Sequence, residues 1–341
     1  MKVYIVTHGV GDWSLVNLSE GWLNSGAIAR GEIEVCIWEP LSHIKPDPTF
    51  WDTIKTADVV LYTNQKGTRG QNFTIYDEIA TKHDLWKHTV VLDGSEVGLR
   101  RCWVAEPLVA KAPLTLIGRH YLYAELKAKG SPVEFFPRMG LDDRVTRYRR
   151  ALPWQMWKDI PATYPGDWPI GPYEHYRHIQ KVVGEVIPEA IVGPIHGTYM
   201  QPSYTMRSNG RHDPFYYEMV SRARVFVRAY AYATSTCDPF WDAVGMECAL
   251  LYQDPASHPF PEMGGTDHPC DWEFFEPKIE RGKDIEMWST EAELRAKLKA
   301  MVDDPARCER MATSVWEKIQ PYRSIPRSQK LLDYLRKYAR S

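Results

Sequence analysis

Two carboxylates three residues apart, Asp93 and Glu96, follow the apolar run Thr89-Val90-Val91-Leu92. Acids at the carboxyl end of a strand suit proton transfer to or from a bound hydroxyl. The same residues also suit an Asp-Gly turn and a helix cap, and both readings stand at this point. A second candidate is His8-Gly9-Val10-Gly11-Asp12, which follows Lys2-Val3-Tyr4-Ile5-Val6-Thr7. Its glycines let backbone N–H groups approach a ligand or simply permit a tight turn. The G-x-G lacks the third glycine of a dinucleotide fingerprint, which weighs against a nicotinamide-dependent dehydrogenase. Arg69 lies in the polar loop Gly67-Thr68-Arg69-Gly70, and Arg207 and Arg211 flank Ser208-Asn209-Gly210. Arg144, Arg147, Arg149 and Arg150 with Trp154 form a basic and aromatic cluster. Such a cluster suits a nucleic-acid backbone with exposed bases, or a solvated connector.

These groups need elements to position them. Short apolar runs at 2–7, 34–38, 57–63, 89–94, 114–117 and 133–137 read as strands, with helical spacing after the first and around 75–83. That alternation predicts an α/β chain with a mostly parallel sheet. Residues 140–161 have no clean period and read as an inter-domain crossing. A second set follows: strands at 162–164, 189–193 and 225–229, and a helical face of His175, Ile179, Val182, Val183 and Val186. Residues 239–252 read as a helix running into a buried strand. Thr290 and Glu293 form a capping box, Asp304-Pro305 starts another helix, and 328–338 is an amphipathic terminal helix. Two such α/β domains place a cleft between the carboxyl ends of their sheets, where open parallel sheets bind ligands.

Composition narrows the classes. The 341 residues, 44% hydrophobic and 25% charged, fit two globular domains. Lys and Arg total 42 against 44 Asp and Glu, a net charge of −2, so no global field draws the chain onto nucleic acid. The six cysteines are scattered without a C-x-x-C pair, so zinc spacing is absent and reduced thiols in a cytoplasm are expected. No apolar run reaches the roughly 18–20 residues of a membrane span, and no membrane partner is expected. Asp142-Asp143 and Asp303-Asp304 are the only adjacent acid pairs weighed as metal ligands, and the second reads as a helix cap.

The order helix 215–222, strand 225–229, then Phe240-Trp241-Asp242-Ala243-Val244-Gly245-Met246-Glu247-Cys248, a loop, the capped helix and Asp-Pro resembles the nucleotide-sugar domain of GT-B glycosyltransferases. The resemblance implies two Rossmann-like domains facing across a cleft. The expected acceptor domain is 1–155, the donor domain 156–325, and a C-terminal helix over 326–341 crosses back to the first. In that family an acid opening a helix accepts hydrogen bonds from the donor's ribose hydroxyls, and Asp242 takes that place, beside Trp241. Within the superfamily, Phe240-Trp241-Asp242-Ala243, Thr163-Tyr164-Pro165-Gly166-Asp167-Trp168 and Glu134-Phe135-Phe136-Pro137 are similar to segments of bacteriophage DNA β-glucosyltransferases. Those enzymes carry an Arg where Pro239 stands here. Their second-domain loop also carries arginines, where this chain offers Gly166, Tyr173, His175 and Arg177.

The expected activity is transfer of a sugar from a nucleotide-sugar, UDP by resemblance, to a hydroxyl. The expected acceptor is a hydroxymethylpyrimidine in phage DNA, reached by extruding the base. Asp93 or Glu96 would be the base, with Arg207 and Arg211 toward the diphosphate. His8, Gly9, Gly11, Asp12 and Arg69 would face the acceptor. No metal is required, since GT-B enzymes rely on helix dipoles and basic side chains. A monomer in the host cytoplasm is expected. The competing readings are a silent nucleotide or sugar binder, a transferase for small or polysaccharide acceptors, and a sugar-nucleotide epimerase.

Overall fold

The structure is a computed structural model, and it describes residues 1–6, 18, 21–38, 48–64, 71–93, 106–137, 140–165, 173–193, 214–229, 238–257 and 269–340. The chain divides into two compact units, Met1–Gly140 with Ser324–Ser341, and Leu141–Arg323. These boundaries differ from the expected 155/156 and 325/326. Residues 141–155, expected as the tail of the first domain, pack inside the second unit.

In the first unit the strands are β1 (Lys2–Val6), β2 (Glu34–Trp38), β3 (Val59–Asn64), β4 (Thr89–Asp93), β5 (Leu114–Ile117) and β6 (Val133–Phe135). They form one sheet of order β2-β1-β3-β4-β5-β6, every adjacent pair parallel. Strands such as Val59–Asn64 are apolar on both faces because a parallel sheet is covered on both. Helices α1 (Pro48–Ile54), α2 (Gln71–Lys82), α3 (Glu106–Lys111) and α4 (His120–Ala128) alternate with them. Val3, Ile5, Val59, Leu61, Val90 and Leu92 bury one face, while Tyr4, Val6, Val60, Tyr62 and Val91 bury the other.

The second unit opens with two short helices, α5 (Asp143–Thr146) and α6 (Trp154–Trp157), where the sequence had suggested an irregular crossing. Its strands are β7 (Ile160–Tyr164), β8 (Ile191–Val192), β9 (Ala223–Arg228), β10 (Ala249–Gln253) and β11 (Ile285–Trp288), the last unforeseen from sequence. All pair in parallel in the order β11-β10-β9-β7-β8. The helices are α7 (Tyr173–Val186), α8 (Pro214–Arg222), α9 (Asp238–Gly245), α10 (Glu291–Asp303) and α11 (Pro305–Lys318). Thr290 caps α10 by accepting from the Glu293 N–H at 3.2 Å, while the Glu293 carboxylate takes the Ser289 N–H at 2.6 Å. Asp304 caps α11 by accepting from the Arg307 N–H at 2.9 Å, with Pro305 in the first turn.

The terminal helix α12 (Ser324–Tyr338) belongs to the first unit. Its Leu331, Leu332 and Leu335 join the core of Val3, Ile5 and Leu61. The Trp22 indole N–H donates to the Ser328 carbonyl at 2.8 Å. Gly21 is required where that helix passes, because a Cβ would overlap the Ser324 carbonyl and the Ser328 side chain.

Candidate functional site

Strand order locates the ligand-binding edge of each sheet. In an open parallel sheet the crevice opens at the carboxyl ends of the strands where the winding reverses. In the second unit that point lies between β7 and β9, because β8 is wound to one side and β10 and β11 to the other. The chain leaving β7 leads to α7, and the chain leaving β9 leads to α9. Those two helices carry His175 and Asp242.

Asp242 is 9% exposed and lies one turn inside α9, which begins at Asp238. The sequence reading put it at the opening of the helix. Because dipole stabilisation fades beyond the first turn, the helix end does not account for a buried carboxylate here. A specific partner does: the Tyr216 hydroxyl of α8 donates to Asp242 Oδ2 at 3.1 Å. Its neighbour Trp241 is 3% exposed and stacks on Phe275 (centroids 5.6 Å), which stacks on Tyr322 (4.3 Å). The Trp241 indole N–H is buried with no hydrogen-bond partner among the described residues.

His175, in the first turn of α7, is hydrogen-bonded through Nε2 to Gln253 Oε1 at 3.1 Å. Gln253 ends β10 and is buried. Arg177 is exposed, two residues further along the helix, and positions two apart do not share a face. The structure therefore does not bring His175 and Arg177 together. Tyr173 opens α7, its side chain outside the described set. Gly166, Arg207 and Arg211 also lie outside the described residues. Arg228 was not singled out from sequence. It is the last residue of β9, at the switch point, and is buried at 8% exposure.

In the first unit the winding reverses between β1 and β3. The residues expected to face an acceptor there, His8, Gly9, Gly11, Asp12 and Arg69, fall outside the described residues, as does Glu96. Asp93 is described. It is the last residue of β4, paired in register with Asn64 of β3, and only 1% exposed. The neighbouring strand β5 ends at Ile117 and continues through Gly118 and the buried Arg119 into His120, the first residue of α4. His120 packs edge-on against Phe135 (5.3 Å) and beside Tyr123 (5.6 Å). This burial pushes its pKa down to about 4, so the ring is neutral at pH 7. The sequence carries this order of strand, glycine, cation, histidine and helix at 114–120.

The arginine cluster reads differently in place. Arg144 forks onto Asp142 (2.7 Å), Arg149 meets Glu247 (2.7 Å), and Arg150 pairs with Glu218. Arg147 lies over Tyr148, 5.1 Å from the ring centre. Three of the four charges are thus met by carboxylates of the same unit. Asp143, the other half of the first acid pair, binds Arg323 at 2.7 Å. Among the described residues no group of three or more His, Cys, Asp or Glu side chains is placed to hold a metal ion. No described helix is long and apolar enough to cross a membrane.

No family model matches this sequence, and no curated protein matches it. Solved structures do. Anabaena Alr3699/HepE, in complex with UDP and glucose, matches over 99% of this chain and 100% of its own, at 9% identity and TM-score 0.64. A glycosyltransferase from Rickettsia africae ESF-5 matches over 99% and 98%, at 9% identity and TM-score 0.60. An alpha-glucosyltransferase in complex with UDP and a 13-mer DNA containing an HMU base matches over 98% and 99%, at 11% identity and TM-score 0.58.

The fold is that of the GT-B glycosyltransferases. At such identities the likeness speaks for the fold, and the residues of the site must be argued on their own. The DNA-bound enzyme in this set is an alpha-glucosyltransferase, whereas the sequence segments had suggested the beta enzymes.

Proposed function

We propose that this chain is a nucleotide-sugar-dependent glycosyltransferase using a UDP-sugar. The observation that supports the reading is that His175 and Asp242 sit on the helices that follow β7 and β9, the two strands flanking the switch point, each held by a hydrogen bond, to Gln253 and to Tyr216. Asp242 accepts hydrogen bonds from the ribose hydroxyls. The Tyr216 hydroxyl donates to its Oδ2 and fixes the carboxylate's orientation. The buried N–H of its neighbour Trp241 has no hydrogen-bond partner among the described residues. Gly166, Tyr173, His175, Arg207 and Arg211 complete the proposed donor set, with Arg228 added at the end of β9 and Arg177 set apart on another face of α7. Cations there stabilise the charge that grows on the departing diphosphate.

The reaction joins the acceptor oxygen to the anomeric carbon and breaks the bond from that carbon to the diphosphate. UDP leaves, and the hydroxyl proton passes to Asp93 or Glu96. His120, held neutral at pH 7, is assigned a hydrogen-bonding role beside that base. His8, Gly9, Gly11, Asp12 and Arg69 are proposed to meet the acceptor.

Likeness to an alpha-glucosyltransferase bound to DNA containing an HMU base supports a hydroxymethylpyrimidine in DNA as acceptor, and under that reading this chain is a phage-encoded, cytoplasmic enzyme of DNA modification. The pairing of Arg144, Arg149 and Arg150 with carboxylates supports a carbohydrate or small hydroxyl acceptor instead, since it removes free cations from a nucleic-acid surface. The test is turnover of UDP-glucose, the donor named with two of these fold neighbours. It is offered hydroxymethylcytosine DNA in one arm and an oligosaccharide in the other. Labelled sugar on either acceptor supports the reading and names the class. UDP binding without transfer or hydrolysis favours a silent binder, and interconversion of the donor sugar favours an epimerase.

A further inference from the structure

Residues 141–158 grip the far end of the helix that carries Asp242. Gly245, the last residue of α9, has no room for a side chain: a Cβ would lie 2.5 Å from Leu141 Cδ1 and 3.2 Å from Val145 Cγ1. The next carbonyl, of Met246, accepts from the Lys158 ammonium at 2.6 Å. Glu247 turns into the left-handed region at φ 52. Its carbonyl accepts from the Trp154 indole N–H at 2.9 Å, and its carboxylate from Arg149 at 2.7 Å. The same segment holds α8, where Tyr148 stacks on Tyr217 (5.2 Å) and Arg150 pairs with Glu218. Tyr217 stands next to Tyr216, the tyrosine that holds the Asp242 carboxylate.

Lys158 is wholly buried, and burial pulls its pKa down. A buried ammonium is costly unless compensated, and an apolar chain of equal volume would pack at least as well. Its compensation is directional: the carbonyl end of α9, the Cys248 sulfur at 3.5 Å, and the Trp157 ring at 4.3 Å. Negative carbonyls at a helix C-terminus favour a cation. What the charge adds over packing is a fixed position for an eight-residue helix.

We infer that residues 141–158 form a clamp that sets the ribose-reading carboxylate, with Lys158 as its positioning residue. This rests on the proposed role of Asp242 as ribose anchor. A displacement of about 1 Å in a binding group is enough to lose its contact.

The test is calorimetric titration of UDP and of its 2′,3′-dideoxy analogue into the wild type, Asp242→Ala, Lys158→Met, Trp154→Phe and the Asp242→Ala/Lys158→Met pair. The ribose reading expects Asp242→Ala to weaken UDP by about tenfold or more and to leave the analogue nearly unchanged. The clamp expects Lys158→Met to reproduce that pattern, and the double variant to be no worse than Asp242→Ala alone. If Lys158→Met does not fold, Trp154→Phe keeps a ring and removes the N–H donor. It should weaken UDP by about threefold with the analogue unchanged. Unchanged UDP affinity in the folded clamp variants overturns the inference. So does equal weakening of both ligands, which marks general loosening. If Asp242→Ala itself affects neither ligand or both alike, the ribose reading fails, and the clamp falls with it.

Discussion

Both sheets run parallel, and both reverse their winding beside their first strand: β1 lies between β2 and β3, and β7 between β8 and β9. The residues placed at the strand ends differ. In the second unit the polar groups near the switch point are held by neighbours, Asp242 by Tyr216 and His175 by Gln253, with buried aromatic rings behind them. In the first unit Asp93 and Arg119 end or follow central strands inside the fold, and His120 is kept neutral by its aromatic surroundings. The same winding can thus present polar groups held by hydrogen bonds, or a buried acid and cation beside a histidine that burial keeps neutral. In the proposed enzyme the second unit binds the donor and the first supplies the proton acceptor.

The largest expected effect breaks or keeps that division of labour. Asp93→Asn and Glu96→Gln are compared by turnover and by UDP titration. One of them should lose about 10²–10⁴-fold in kcat with UDP affinity kept. Loss of UDP affinity in both would put the donor on the first unit and invert the comparison. Next comes Leu332→Ala in α12, fully buried in the first unit's core. It should cost about 2–5 kcal/mol by urea denaturation, while UDP affinity in the folded protein stays as it was. Steady-state kinetics of Asp242→Ala should then show donor KM raised about tenfold, with acceptor KM held.

A further effect is on pH. His120 in the folded chain titrates near 4 against 6.5 when unfolded, so below pH 6.5 the unfolded chain takes up a proton that the folded chain refuses. Stability should fall as pH drops from about 6.5 to about 4 and this contribution should level off below that. His120→Gln should flatten that part of the curve, and an unchanged curve would remove His120 from its packed site.

The strands were legible because a strand covered on both faces is apolar along most of its length, as at 59–62 and 249–252. Ile285–Trp288 escaped notice because it is four residues long with Glu286 inside it. The caps at Thr290 and Asp304 were legible because their chemistry is local. The Asp-Pro pair that opens α11 recurs at Asp238-Pro239, and it would have placed Asp242 one turn inside its helix. The clamp was not legible. Lys158 meets Met246 across 88 residues of sequence and Arg149 meets Glu247 across 98. A lone lysine and a run of arginines carry no local mark of such partners, so the run resembled a solvated or nucleic-acid-binding surface.

The central claim is that Asp242 reads the ribose of a uridine nucleotide on the second unit. A crystal grown with UDP tests it most directly. The account predicts a ribose hydroxyl about 3 Å from an Asp242 carboxylate oxygen, with Tyr216 still donating to the other. UDP seated on the first unit, or its ribose turned away from an Asp242 bound only to Tyr216, would contradict it.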